Sequence, residues 1–178
     1  LPMTAMAAAL AGVPCVWHVR SLHFLRPLMS LYAAVSDAVI AMDHNVLQAT
    51  GLRLCRRSGL HVIYDGIDAD AFARQASPGR LRAELGVAPE QPLLALVARM
   101  VAWKGHRRFL RALAMLRTRW PHLVAVLAGG LSLGRSPVHE NELRVLADSL
   151  RLGDAVRFLG FRTDVACIMA GHVGAEPK

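Results

Sequence analysis

The sequence predicts an α/β fold built from two halves, each with its own parallel sheet. Short, continuously apolar runs alternate with segments of helical periodicity, which is typical of parallel strands covered on both faces. The alternation stops at one stretch rich in Pro and Gly and then begins again, which predicts a second half. The 178 residues suit one domain or two small ones, and a hydrophobic share of 54% supplies apolar surface for a core.

The first half is expected to contain three strands. A short Ala-rich helix ending at Gly12 precedes them, and an Asp65-Gly66 turn closes the third strand. The predicted elements are strands over 14–20, 38–42 and 61–64, with helices over 24–35 and 45–54.

The segment 71–92 interrupts this rhythm and is expected to link two domains. It contains the breaker sequence Ser77-Pro78-Gly79 and a short helix over 81–85. The predicted organisation is a first domain over 1–70, this linker, and a second domain over 93–178.

The second half repeats the alternation of strand and helix. The longest helix should pack on the sheet through Phe109, Leu113, Leu116 and Trp120, which follow helical spacing. The predicted elements are strands over 93–98, 123–128 and 156–159, with helices over 105–120, 141–152 and 164–170.

Composition narrows the class of protein. The net charge of +8 is concentrated in the second half, which indicates an anionic partner such as a nucleotide, nucleic acid or anionic lipid. Three scattered cysteines with no metal spacing predict neither a disulfide scaffold nor a metal site, and favour a reducing cytoplasmic compartment. The uncharged first 17 residues lack a basic flank and contain Pro and Gly, so neither a leader nor a membrane span is predicted.

Polar residues follow nearly every predicted strand. In open parallel sheets, ligands bind at the carboxyl ends of the strands, so these residues are candidates for a site in a cleft. The residues at these strand ends, together with neighbouring glycines and one Phe, are His18, Arg20, Asp43, His44, Asp65 and Gly66 in the first half, and Arg99, Gly129, Gly130, Phe161 and Arg162 in the second.

Arg99 ends a predicted strand, and Lys104 and Gly105 open the following helix. The free amide groups of a helix N-terminus favour an anion, and a guanidinium with an ammonium nearby would suit a diphosphate. A capping turn with solvated charges is the alternative. The chain contains neither GxGxxG nor GxxxxGK[ST], which argues against a standard dinucleotide dehydrogenase or P-loop NTPase.

Two further candidates also have ordinary explanations. Gly129-Gly130 could let the backbone approach a ligand, or it could simply form a turn. His18 could act in a site, or it could be a hydrogen-bonded residue of the core. Arg20 lies two positions further on and would share a strand face with His18, which favours a role in a cleft.

Five segments resemble family-4 retaining glycosyltransferases. In order between positions 12 and 170 they read GVPCVWHVR, SDAVIAMD, HVIYDGIDADAF, LVARMVAWKGHRRFLRAL and VRFLGFRTDV. The resemblance implies a GT-B fold of two Rossmann-like domains, with a nucleotide-diphosphate sugar bound mainly by the second. It also implies sugar transfer with retention of anomeric configuration and no required metal. No nucleic-acid partner is expected.

The resemblance suggests roles for the donor side. Arg99 and Lys104 match the Arg and Lys that hold the donor diphosphate. Gly129 and Gly130 match the glycine-containing loop near the donor.

The same resemblance extends to the remaining candidates. His18 matches the histidine that faces the sugar and the reacting centre, and is the expected catalytic residue. Phe161 and Arg162 match a segment that passes beside the donor base, largely through its backbone. Arg20 is expected on the acceptor side.

Two departures from the family pattern shape the expectation. Asp65 stands where the family usually has Asn, and the downstream Glu-x7-Glu element does not occur within the 178 residues. The chain is therefore expected to be a fragment of a bacterial enzyme, truncated in both halves and inactive alone. The parent enzyme would act in the synthesis of cell-surface polysaccharide, lipopolysaccharide or glycolipid. It would be cytoplasmic, with a sugar or lipid-linked acceptor and peripheral contact with the inner membrane surface.

Two other functions compete with this one. The first is a non-catalytic remnant that at most binds nucleotide or phosphate. The second is a basic nucleic-acid binder, which only the charge suggests, since no RRM, KH, helix-turn-helix or zinc motif is present.

Overall fold

The computed structural model describes residues 2–20, 26–50, 59–130 and 138–172. The chain divides into two compact units, Leu1–Ile67 and Asp68–Lys178. Each unit contains one three-stranded parallel sheet. The predicted α/β class with two separate parallel sheets is confirmed.

The first unit has strand order β1-β2-β3, with β2 in the centre. Its sheet residues keep a parallel register in which Trp17 lies beside Val39, and Val39 beside Leu60. The elements of this unit are α1 (Pro2–Ala11), β1 (Val16–Val19), α2 (Arg26–Val35), β2 (Ala38–Ala41), α3 (His44–Thr50) and β3 (Leu60–Val62).

The core of the first unit lies on one face of this sheet. Trp17 and Val19 of β1 are buried together with Met29 of α2. The indole of Trp17 meets the ring of Tyr32 edge to face, with 5.7 Å between the ring centroids. Because successive strand residues point to opposite faces, His18 lies on the other, exposed face of β1.

The second unit has strand order β4-β5-β6, again with the middle strand central. Its elements are α4 (Ala69–Arg74), α5 (Arg80–Leu85), β4 (Leu93–Val97), a 3-10 turn (Ala102–Lys104), α6 (His106–Arg117), β5 (Val124–Ala128), α7 (Val138–Ser149), a second 3-10 turn (Gly153–Ala155), β6 (Val156–Gly160) and α8 (Val165–His172).

All five residues of β5 are buried, which explains why this strand is continuously apolar. Leu127 belongs to the core between the sheet and helices α6 and α7. Val126 belongs to the core on the opposite face, together with Leu81 of α5 and Ile168 of α8. The sheet of the second unit therefore has two cores, one on each face.

Helix α6 packs through a different stripe from the predicted one. Leu113 is buried as expected, but Leu116 is 37% exposed and Trp120 is 45% exposed. His106 and Leu110 are buried in their place. The helix ends at Arg117, so Trp120 lies beyond it. The buried positions within the helix follow the spacing i, i+4, i+7 from His106.

The segment 71–92, predicted as a linker, contains α5 and most of α4, and both helices belong to the second unit. Leu81 of α5 is 1% exposed. Helix α4 was not predicted. It begins because the Asp68 carboxylate accepts a hydrogen bond from the amide of Ala71 at 2.8 Å, which is the geometry of an N-cap.

His106 is a buried polar residue at the start of α6, with an exposed fraction of 1%. Among the residues that the structure describes, neither of its ring nitrogens has a hydrogen-bond partner of good geometry. Burial lowers the pKa of His106, the nearby carbonyl groups of Ala98 and Val101 oppose that shift, and the neighbouring His139 adds to it. The two imidazole rings are 6.4 Å apart, centroid to centroid.

We expect acid to weaken the fold through His106. Because its folded-state pKa lies below the ordinary 6.5, the unfolded chain binds more protons as the pH falls below that value, and the free energy of unfolding decreases. His106→Leu should flatten this dependence in urea unfolding measured between pH 7.5 and 5.5. The exposed His122 provides the control variant His122→Leu, which should leave the dependence as it is. An unchanged pH dependence in His106→Leu would contradict this account.

Candidate functional site

The carboxyl ends of β4, β5 and β6 surround a groove of about 180 Å³. Five of the predicted site residues lie in its wall, and most of the remaining wall is backbone and small side chains. The lining residues are Val97, Ala98, Arg99, Ala128, Gly129, Gly130, Phe161, Arg162 and Val165.

Backbone hydrogen bonds join the three strand ends beneath this groove. The amide of Ala98 donates to the carbonyl of Ala128 at 2.9 Å, and the amide of Gly129 donates to the carbonyl of Gly160 at 2.8 Å. One step further, the amide of Met100 donates to the carbonyl of Gly130 at 3.2 Å. The pairing of the strands therefore continues past their regular ends and shapes the groove.

The two glycines after β5 are in close contact with their neighbours. A Cβ atom at Gly129 would lie 1.8 Å from the carbonyl oxygen of Ala98, which no side chain can tolerate. A Cβ atom at Gly130 would lie 3.0 Å from the Cβ of Phe161. The pair is thus more than a turn signal, because the backbone at 129 passes directly against the end of β4.

The basic residues of the predicted anion site lie in the connection between β4 and α6. Arg99 is exposed and lines the groove, whereas Lys104 is exposed in the 3-10 turn and does not line it. Gly105, with φ +82°, is the N-cap residue of α6 and has no side chain with which to cap the helix. The positive end of the helix dipole coincides with the first amide groups of α6, for which the N-cap residue supplies no side-chain acceptor.

The Arg162 side chain is occupied by two carboxylates. Its Nε and Nη2 atoms donate to the two oxygens of Asp164, both at 2.8 Å, and its Nη1 and Nη2 atoms donate to those of Glu84 at 2.6 and 2.9 Å. These bonds lower the pKa of Asp164 to about 2, lower the pKa of Glu84 and raise the pKa of Arg162. All three groups are therefore charged at neutral pH.

His18 and Arg20 lie in the first unit, at the edge formed by its own strand ends. Arg20 forms an ion pair with Asp65, with 2.5 Å between Nη2 and Oδ2. The ring of His44 meets that of Tyr64 edge to face, with 6.1 Å between the ring centroids. Polar residues after β1, β2 and β3 thus converge on one edge, as the strand-end rule predicts.

Three acidic residues have hydrogen-bond partners that the sequence did not predict. Asp43 was a candidate at the strand edge, but its carboxylate accepts a hydrogen bond from the amide of Val46 at 2.6 Å and so caps α3. Asp164 lies two residues after Arg162, and that spacing was an available signal for their pairing. Glu84 is 78 residues from Arg162 in the chain, and no local pattern connects them.

Two features are absent from the described part of the chain. Residues 2–20, 26–50, 59–130 and 138–172 contain no group of three or more His, Cys, Asp or Glu side chains that could hold a metal ion. None of the helices in those ranges is both long and apolar enough to cross a bilayer.

The family described as "Glycosyl transferases group 1" matches residues 79–170, which is more than half of the chain. The match includes the groove, the uncapped helix α6 and the Arg162 cluster. The chain belongs to this family of glycosyltransferases.

Curated relatives of the chain carry the name D-inositol 3-phosphate glycosyltransferase. The chain is 36% identical over 131 residues to the protein of Actinosynnema mirum, which covers 71% of this chain and 31% of that protein. It is 34% identical over 121 residues to the protein of Mycolicibacterium smegmatis, covering 68% and 26%, respectively. The chain thus spans about a third or less of the length of these relatives.

Solved structures show the same architecture. The Anabaena protein Alr3699/HepE, solved in complex with UDP and glucose, is 28% identical with a TM-score of 0.76, over 94% of this chain and 46% of that one. Sucrose-phosphate synthase from Thermosynechococcus elongatus is 19% identical with a TM-score of 0.69, over 89% and 42%, respectively, and is similar in fold. The predicted GT-B type of fold is confirmed.

We expect Gly129→Ala to destabilise the second unit. The new methyl group would overlap the Ala98 carbonyl, so the ends of β4 and β5 must separate, at a cost of about 2 kcal/mol or more. Urea unfolding of the variant and the wild type measures this loss. Gly66→Ala is the matched control, because no atom lies within 4 Å of a Cβ built there. Equal stability of Gly129→Ala and wild type would contradict the described approach of β5 to β4.

Proposed function

We propose that the protein carrying this chain transfers a sugar from a nucleoside-diphosphate sugar to an acceptor, with retention of anomeric configuration. The observation that carries the proposal is the groove at the ends of β4, β5 and β6, with Arg99 in its wall and the uncapped helix α6 following β4. Membership in the group 1 glycosyltransferases supports it. The UDP and glucose bound to the similar Anabaena protein indicate the donor class.

The chemistry we propose depends on stabilising the leaving group. The bond between the anomeric carbon and the diphosphate oxygen breaks, and its electron pair stays on the diphosphate. Arg99 as a planar fork, Lys104 as a point charge and the amides of α6 would stabilise the added negative charge. In this proposal the protein supplies that positive charge itself, without a metal.

Other residues would lie beside the base and the sugar of the donor and beside the acceptor. The backbone at Gly129, Gly130 and Phe161 would lie beside the base of the nucleotide. His18 would face the sugar, and Arg20 the acceptor side. An acceptor hydroxyl oxygen would bond the anomeric carbon on the face from which the diphosphate leaves, so that the configuration is retained, and the hydroxyl proton would pass to the departing diphosphate oxygen.

We propose a phosphorylated polyol, a sugar or a lipid-linked sugar as acceptor. The name of the curated relatives, D-inositol 3-phosphate glycosyltransferase, supports an anionic acceptor. We also propose a cytoplasmic enzyme in the synthesis of cell-surface polysaccharide, lipopolysaccharide or glycolipid, with peripheral contact to the inner membrane surface. Eight Lys or Arg and no Asp or Glu between positions 91 and 139 would favour contact with anionic lipid.

Calorimetric titration of UDP tests the donor site. Lys104→Ala should weaken UDP binding about tenfold to a hundredfold, because a charge-assisted hydrogen bond contributes on the order of 1.5–3 kcal/mol. Arg99→Lys should also weaken binding, because an ammonium cannot reproduce the bidentate fork of a guanidinium.

Arg111→Ala is the matched control, since it removes one charge from the exposed side of α6. It should leave the affinity for UDP unchanged. Equal affinities for wild type, Lys104→Ala and Arg99→Lys would contradict this assignment. UDP binding without transfer from UDP-glucose to inositol phosphate or a lipid-linked sugar would favour a protein that only binds nucleotide.

A further inference from the structure

We propose that Glu84 is a positioning residue of the nucleotide groove, acting through Arg162 to hold the segment that carries Phe161. The inference rests on the proposed function, because it gives this segment a role in donor binding. It assigns no contact with the donor to Glu84 itself.

Two carboxylates hold the side chain of Arg162. Its guanidinium makes four hydrogen bonds of 2.6–2.9 Å, two to Glu84 and two to Asp164. Four of the five N–H groups of an arginine are thereby used. The side chain is consequently committed to these carboxylates, and its direct use for a phosphate would require breaking one of the two forks.

Glu84 belongs to a helix that is anchored in the core of the second unit. Helix α5 is held by Leu81, which is 1% exposed and belongs to the same core cluster as Ile168 of α8. The neighbouring Arg82 donates to the carbonyl groups of Gly171 at 2.9 Å and Gln91 at 2.8 Å. A carboxylate on such a helix can hold a loop in place, whereas one on a mobile segment cannot.

Phe161 is not packed into a core. Its side chain is 77% exposed, yet it lies against Gly130 in the wall of the groove. On one side it follows Gly160, whose carbonyl accepts the bond from the Gly129 amide. On the other side the next residue is Arg162. The position of Phe161 over Gly130 therefore depends on these two attachments, and the Arg162 cluster is one of them.

An ordinary surface ion pair predicts a different result. The Glu84 side chain is 42% exposed, and pairs of this exposure typically contribute little to global stability. A merely structural pair would therefore change neither stability nor donor affinity appreciably. A positioning role predicts a loss of donor affinity that is much larger than the loss of stability.

The experiment compares two variants, each of which removes the negative charge from an acidic partner of an arginine in or directly after β6. Glu84→Gln removes the charge opposite Arg162 while keeping the shape of the side chain. Asp154→Asn is the matched control, because Asp154 pairs with Arg157 at 2.7 Å near the start of β6, the end away from the groove. UDP affinity by calorimetry and urea unfolding are measured for both.

We expect Glu84→Gln to weaken UDP binding about tenfold, since small displacements of a positioning group can be this costly. The urea midpoint should change little, and Asp154→Asn should bind UDP like the wild type. In a background of Arg162→Met, the Glu84→Gln change should add no further loss, because the two residues act as one unit. Wild-type affinity in Glu84→Gln, or full additivity with Arg162→Met, would overturn the proposal while the proposed function stands.

A readout without ligand separates the two proposals. Hydrogen–deuterium exchange of a peptide covering positions 160–164 should become faster in Glu84→Gln and stay unchanged in Asp154→Asn. If the wild type fails to bind UDP, the proposed function falls. In that case unchanged exchange over 160–164 in Glu84→Gln would overturn the positioning role as well, and faster exchange would support the hold of Glu84 on the segment.

Discussion

The contact between the backbone at Gly129 and the carbonyl of Ala98 is the constraint on which the site depends. A residue with a side chain at 129 would overlap that oxygen at 1.8 Å, so the end of β5 could not lie against the end of β4. Their close approach lets the hydrogen bonds of Ala98 and Met100 continue past the strands. One wall of the groove therefore exists because a glycine follows the most buried strand of the unit.

Charge is distributed unequally around the groove. On one side Arg162 is compensated by Glu84 and Asp164, so its cluster carries a net negative charge. On the other side Arg99 lines the groove, in a stretch between positions 91 and 139 that contains no acidic residue. An anionic ligand would be drawn toward that second side. The arrangement fits a ligand with a neutral end and a charged end, as a nucleoside diphosphate has.

Apolar periodicity predicted most strands and helices of the fold. It did not predict the features that depend on contacts between residues far apart in the chain. The run LVAVLA predicted β5 because a strand buried on both faces has no polar positions. The prediction that Leu116 belongs to the buried stripe of α6 was wrong. The buried stripe includes His106 instead, and apolar periodicity does not predict a polar residue there. Strand-end positions predicted Arg99 and Gly129 as site candidates, and both residues line the groove. The tie between Glu84 and Arg162 joins residues 78 positions apart and leaves no local signal.

A crystal structure of the protein with bound UDP would test the central claim most directly. The account predicts the uracil ring beside Gly130 and Phe161, and the diphosphate between Arg99 and the first amides of α6, with the Arg162 cluster intact. UDP bound away from the ends of β4, β5 and β6, or bound there with its diphosphate directed away from α6, would contradict the account.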